Sequence, residues 1–260
     1  MLKHIISLLT IVLLARCDTQ EASKNTPLKE NYSFNVNDIN SFSIDSDQSN
    51  ILISKAINTD KIELTINNKD LIPDFCDVSV KLKNKALNFS NKKKNQGLKL
   101  GNCEVSFNIT FPKDIDKIDV NLGAGKIKIK DIGTDVNINS GIVDFISNAP
   151  LKSLSVNAGK FEGNVSDMEG DASFAFGSGK IAVIYNTLKE TRSLAFEGGY
   201  IDSIITLPVD TKIEFDQPSS VKNIKIINKK ELKRQKPDLK IKLNTASGQV
   251  KIKEIKKEKE

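Results

Sequence analysis

The sequence predicts an all-β chain: antiparallel β-hairpin strands leading into a parallel β-helix, or β-solenoid, of about six coils. Three observations carry this expectation. Beyond residue 16 no stretch holds a helical period, and apolar residues alternate with polar ones in short runs instead. None of the 14 glycines precedes Gly97, and all but Gly248 fall between Gly97 and Gly199. A small residue followed by glycine recurs in one setting at intervals of 16 to 20 residues, and then once more after 49. A fixed period of that length is the mark of a repeat architecture.

Residues 1–16 read as a signal peptide. Met1 to Cys17 is MLKHIISLLTIVLLARC, with Lys3 as the positive start and Ile5 to Leu14 as the apolar stretch. About ten apolar residues make roughly 15 Å of helix, half the ~30 Å of a bilayer core. That is short for a membrane span and suits a secretory leader. Its end, Leu14-Ala15-Arg16-Cys17, resembles a bacterial lipoprotein signal. In that group the cysteine becomes the first mature residue and carries lipid, here on Cys17, although Arg16 stands where a small residue is usual. The resemblance implies palmitate-type acylation and a bilayer anchor, with the protein held in the bacterial cell envelope on its periplasmic face or at the surface. The plain alternative is a free thiol behind an ordinary leader. Residues 17–31 are polar, with one proline, and read as a flexible tether.

Residues 32–115 read as a strand and hairpin region. Phe42 and Ile44, Ile51 and Ile53, Ile62 to Ile66, Val78 to Leu82 and Val105 to Ile109 each keep period two. Asp47 to Asn50 and Lys83-Asn84-Lys85 supply turns. Cys76 and Cys103 remain after the leader is removed. An exported location permits a disulfide between them, and two reduced buried thiols or a reactive pair are the alternatives.

Residues 116–254 read as the solenoid, with a basic insertion at 229–237 and a charged tail at 255–260. Its corners are placed at Gly125, Gly141, Gly159, Gly179, Gly199 and Gly248, each preceded by Ala, Ser or Gly. Strands on either side would stack on neighbouring coils, and glycine would relieve the corner of a Cβ. The expected inward residues are Ile127, Val143, Phe161, Ile181, Ile201 and Val250, facing Leu122, Ile138, Val156, Phe176, Phe196 and Leu243. The 49-residue gap would hold one concealed coil around Ile213, Phe215 and Pro218-Ser219-Ser220-Val221. An antiparallel sandwich with glycine hairpins gives similar alternation.

These repeats resemble a group of exported bacterial β-strand-repeat proteins that carry the label "putative adhesin", a domain of unknown function. The resemblance rests on the strand-Ser/Ala-Gly-x-apolar unit and on the preceding Phe107-Asn-Ile109-Thr-Phe111-Pro112, and it covers residues 40 to 254. It implies a right-handed β-helix and no catalytic residues.

Composition narrows the chemistry. The single histidine is His4, inside the leader, so the mature chain has no imidazole for a Ser-His-Asp triad or a histidine metal site. There is no Trp, and aromatic residues are 6% of the chain, which argues against a cleft lined with rings for sugars or bases. Arginine occurs only at 16, 192 and 234, so the net charge of +6 is carried by lysine and makes a weak case for nucleic acid. No cofactor, metal or enzymatic activity is expected. Asp45 with Asp47, and Asp116 with Asp119, lack the glycine-rich repeat of calcium-binding coils. Lys126, Lys160 and Lys180 each follow a corner glycine and would lie near one line in a stack, an anion-attracting ladder or simply a solvated row. The expected function is binding, adhesion or scaffolding with an envelope or host protein or a polysaccharide. The alternatives are an envelope-stress sensor module acting through a membrane partner, or a β-helix enzyme acting on polysaccharide.

Overall fold

The computed structural model describes residues 28–56, 59–68, 76–94, 103–216, 223–227 and 236–255. The leader, Cys17, most of the tether, the insertion before Lys236, Pro218 to Val221 and the tail after Ile255 lie outside the described residues. The rest is a single 14-stranded sheet of mostly parallel strands.

Its centre is built from long strands, the first four of them joined by links of two or three residues. These are β7 (Lys117–Lys130), β8 (Thr134–Ser147), β9 (Leu151–Val165), β10 (Met168–Ile184), β11 (Arg192–Leu207) and β14 (Leu239–Glu254). Each pairs in parallel with the next, start beside start: Lys117 lies opposite Asp135, and Thr134 opposite Leu151. A straight 14-residue strand would run about 45 Å, while a three-residue link reaches about 10 Å. A link that short cannot return the chain to its starting edge. Each strand therefore has to wind back on itself, which is the geometry of a β-solenoid.

The burial pattern locates the bend. In β7, Ile118, Val120 and Leu122 are buried on one parity, and Ile127 and Ile129 on the other. Two consecutive outward residues separate them, Gly123 and Ala124. The same pair falls at 141–142, 159–160, 177–178, 199–200 and 246–247. All the expected inward residues are buried, from Leu122 and Ile127 to Leu243 and Val250.

The corner register differs from the sequence expectation at half the coils. The glycines that stack are Gly123, Gly141, Gly159, Gly177 and Gly199, with Ala246 in the last coil. A Cβ on Gly159 would sit 2.7 Å from the Gly141 carbonyl oxygen, and one on Gly177 would sit 2.8 Å from that of Gly159. Only a residue without Cβ permits that approach of backbones. Gly125, Gly179 and Gly248 lie two residues further on, opposite the buried Val143, Phe161 and Ile201. The physical reason is a trade of bulk. Leu122 and Phe176 are large where their coils have Gly125 and Gly179. Ser140, Ala158 and Gly198 are small where theirs have Val143, Phe161 and Ile201. Each coil from β7 to β11 places one large side chain beside its corner, on one side or the other, facing a small residue across it. The Phe176 ring lies 2.8 Å from where a Cβ of Gly179 would be.

The first coil begins earlier than the expected boundary at residue 116. β2 (Ser41–Lys55) runs unbroken through Asp47 to Asn50 and pairs with β7 along its length. That polar stretch is the corner of a coil, not the turn of a hairpin. Its other edge is covered by a split coil, β5 (Ala86–Lys93) before the corner and β6 (Glu104–Phe111) after it. Antiparallel strands close this end: β4 (Cys76–Lys83) on β5, and β3 (Lys61–Asn68), itself paired with β1 (Leu28–Asn35), on β6. Asn84 and Lys85, at φ 52° and 60°, form the β4–β5 turn. Cys76 and Cys103 are disulfide-bonded, with 27 residues of separation.

The concealed coil exists but stacks elsewhere. β12 (Ile213–Asp216) and β13 (Asn223–Ile227) both pair with β14, while β14 pairs directly with β11. The last strand in sequence is thus inserted between β11 and the split coil of β12 and β13. Ile213 is buried there, and Phe215 and Ile226 pack against the core.

Candidate functional site

The corner divides the outer surface into two faces. Before it, the outward rows are short and polar. One row is Asp45, Asn121, Asn139, Asn157, Ala175, Glu197 and Asn244, and the next includes Asp119, Asn137, Ser155 and Ser173. In the first coils these side chains bond to one another across strands. Asn139 Nδ2 donates to Asn121 Oδ1 at 3.2 Å and Asn137 Nδ2 to Asp119 Oδ1 at 3.0 Å. Ser153 Oγ donates to Asp135 Oδ1 at 2.8 Å. Asp45, one of the acids weighed for calcium, receives the Lys92 ammonium, and Lys117 lies 2.9 Å from Asp119.

From the corner onward the surface changes. The second corner row is Gln48, Ala124, Ile142, Lys160, Ser178, Tyr200 and Ser247. The row after it is Asn50, Lys126, Asp144, Glu162, Lys180, Asp202 and Gln249. The expected lysine ladder is therefore corrected. Lys126 and Lys180 share a row with acids between them, and Lys160 stands two residues away in the other row. The cause is the two-residue slip at the corner, which puts the residue after Gly125 or Gly179 in a different row from the residue after Gly141, Gly159 or Gly199.

This surface is bonded at its ends and unpartnered at its middle. Near the start, Asn50 Nδ2 donates to Glu104 Oε1 at 2.6 Å, and Lys55 lies 2.9 Å from Asp114. Burial by itself would raise the Asp114 carboxyl. The Lys55 ammonium, the Gly133 N–H and the charge of Lys152 outweigh that and hold it below the usual carboxylate range. Lys126 reaches Asp144 at 3.9 Å, and Gln249 Nε2 donates to Asp202 at 2.9 Å. Between them, Lys160, Glu162 and Lys180 make no hydrogen bond or ion pair with any described residue. The same stretch carries exposed apolar side chains, Ile142 at 53%, Ile146 at 49% and Tyr200 at 44%.

Two hollows lie there. One, of about 210 Å³, is lined by Lys160, Glu162, Lys180 and Tyr200, with Ser178 and Gly179 at its floor. The other, of about 310 Å³, is lined by Asp144, Ile146, Glu162, Gly163 and Asn164. Glu162 belongs to both. Tyr200 is a single ring at the edge of a hollow, which is not the ring-lined cleft that the composition argues against. No group of three or more His, Cys, Asp or Glu suited to a metal ion occurs among the described residues. Sequence reading placed Lys160, Lys180 and Tyr200 near a common line but missed Glu162. Aligning the coils on their inward pairs, which spaces Gly123, Gly141, Gly159 and Gly177 evenly by 18, would have found it.

The chain is similar in structure to a "putative adhesin" from Bacteroides fragilis, with 16% identity, a TM-score of 0.50, and coverage of 88% of this chain and 98% of that one. It also aligns with a "putative lipid binding protein" from Parabacteroides distasonis at 14% identity and a TM-score of 0.47, covering 86% and 97%. A third alignment is with a "putative cell adhesion protein" from Clostridium sporogenes at 15% identity and a TM-score of 0.38, covering 88% and 100%. No family model and no curated protein matches the chain. At these identities the Bacteroides similarity shows a shared fold and nothing further.

Proposed function

We propose that this protein is an exported, non-catalytic binding module, an adhesin or envelope scaffold, held at a bacterial membrane by lipid on Cys17. On this reading the solenoid is right-handed, and β7 to β11 with β14 are its six expected coils. The observation that carries the binding role is the contrast between its faces. In its first coils one face bonds its polar side chains to one another across strands. The other leaves Lys160, Glu162 and Lys180 unpartnered beside exposed Ile142, Ile146 and Tyr200. Unpartnered charge next to exposed apolar area is the chemistry of a surface that meets a ligand. The leader supports export, and the Cys76–Cys103 bond suits an oxidising compartment.

Three measurements test the reading. Labelled fatty acid should enter the native protein and not Cys17→Ala; equal label in both would end the anchor. Protease applied to intact cells should then report which side of the envelope the solenoid faces. Purified protein should adhere to envelope or host-surface material, and Ile142→Asp with Tyr200→Ala should lower that adhesion. Retention unchanged by both substitutions would remove this face from the function.

A further inference from the structure

Resting on that reading, we propose that the hollow over Ser178 holds an acidic sugar residue of a glycan, its anionic group lying between Lys160 and Lys180. The hollow exists because a small side chain stands in a row of large ones. Ser178 pairs in register with Lys160 on one side and Tyr200 on the other, at strand spacings of about 4.8 Å. The long neighbours become walls. About 210 Å³ holds roughly seven waters at ~30 Å³ each, enough for one substituted sugar ring.

The wall chemistry selects the ligand. Lys160 and Lys180 bring two ammonium groups that make no ion pair with any described residue, although Glu162 and Asp202 stand in register on either side of Lys180. An ammonium is a compact donor that takes a carboxylate or sulfate as a point charge. Glu162, ionised, can only accept hydrogen bonds, so the ligand must also present donors on that side. A ring with hydroxyl groups and one acidic substituent meets both demands. A bare phosphate offers Glu162 no such array of donors, and a densely anionic surface would be repelled by it. Tyr200 adds an apolar face with a polar tip, suited to the C–H face of a sugar.

The second hollow extends the argument. It shares Glu162 and lies toward β8, and its walls are Asp144, Asn164 and Ile146, with no lysine. Carboxylates and an amide beside an apolar side chain fit a neutral, hydroxyl-rich ring. A glycan running along the stack would place an acidic unit over Ser178 and a neutral unit over Gly163. The two hollows together specify an acidic unit joined to a neutral one, as an alternating acidic–neutral chain supplies.

Calorimetric titration of the purified mature chain tests this with defined probes. A hyaluronan oligosaccharide supplies alternating uronate and hexosamine. A chitin oligosaccharide supplies hexosamine without the acid. Inorganic phosphate and phosphatidylglycerol vesicles supply the anion without the sugar. The hyaluronan oligosaccharide should bind, at least tenfold more tightly than the other three, and more weakly as salt rises. Ser178→Phe, which fills the hollow from an exposed position, and the pair Lys160→Ala and Lys180→Ala should each weaken it at least tenfold with the melting temperature unchanged. Glu162→Gln should weaken both the acidic and any residual neutral binding. Equal binding of chitin oligosaccharide, phosphate or vesicles would overturn the proposal, as would affinity that survives Ser178→Phe. If no oligosaccharide binds while the chain still adheres to envelope material, the sugar assignment falls and the binding module stands. If adhesion is also absent, both fall.

Discussion

The face before the corner and the face after it are made by the same strands, one turn of backbone apart, yet they treat polar groups in opposite ways. Before the corner, asparagine, serine and aspartate stand in register, and in the first coils they bond to side chains on the neighbouring coil, as Asn139 does to Asn121. After it, the middle coils carry longer side chains, and those of Lys160, Glu162 and Lys180 meet nothing described. A repeat of identical coils has no need of such a difference for stability. The bonded face belongs to the scaffold, and the free face is what the scaffold holds out to its surroundings.

The most severe way to break the comparison is to remove the core both faces rest on. Phe161 lies fully buried, with ring centroids 5.7 Å from Phe174 and 6.2 Å from Phe176. Phe161→Ala should cost about 3 to 5 kcal/mol in denaturant unfolding, from lost burial and the cavity left behind. It should disturb the bonded rows and the hollow alike. A cost below about 1 kcal/mol would mean the two walls do not share this core.

The second disruption separates the faces at one end. Cys76 opens β4, which lies beside β5 on the first face, and Cys103 immediately precedes β6 on the second. The bond therefore ties the edge of one face to the edge of the other. Closing a loop of this length is worth about 3.5 kcal/mol on the chain-entropy model. Replacing both cysteines with serine should lower stability by about that amount and leave the hollow over Ser178 working, since β9 to β11 lie several coils away. Free thiols on the non-reduced protein, seen by alkylation and mass shift, would count against the bond itself.

How far the sequence disclosed this molecule depends on the kind of signal. Alternation disclosed the strands and their inward residues, because burial acts on each residue separately and leaves period two behind. The stack was disclosed by the recurrence of small residues with glycine. Register between coils was not, because Gly123-Ala-Gly125 and Gly177-Ser-Gly179 each offer two glycines, and the choice is made by Leu122 and Phe176 packing inside. The insertion of β14 ahead of β12 and β13 was also hidden. Ile213 and Phe215 would suit either slot, and pairing order is a property of the whole sheet. The lysine ladder failed for the first of these reasons: a slip of two residues moves a side chain to another row, and only the register shows which acids stand beside it.

Two smaller substitutions sharpen the contrast. Asn137→Ala deletes a donor to Asp119 Oδ1 at 3.0 Å on the bonded face and should cost about 1 kcal/mol, the usual net worth of one such bond. Lys180→Ala removes a more exposed side chain on the free face, where nothing described is bonded to it. It should change stability by less than about 0.5 kcal/mol, as surface substitutions away from any partner do. The informative quantity is the difference between the two, read from the same denaturation series. If Lys180→Ala cost as much as Asn137→Ala, the lysine would be serving the fold after all, and its unpartnered state would no longer argue for a ligand. If it costs nothing while binding is lost, stability and recognition are separated across a single corner of the chain.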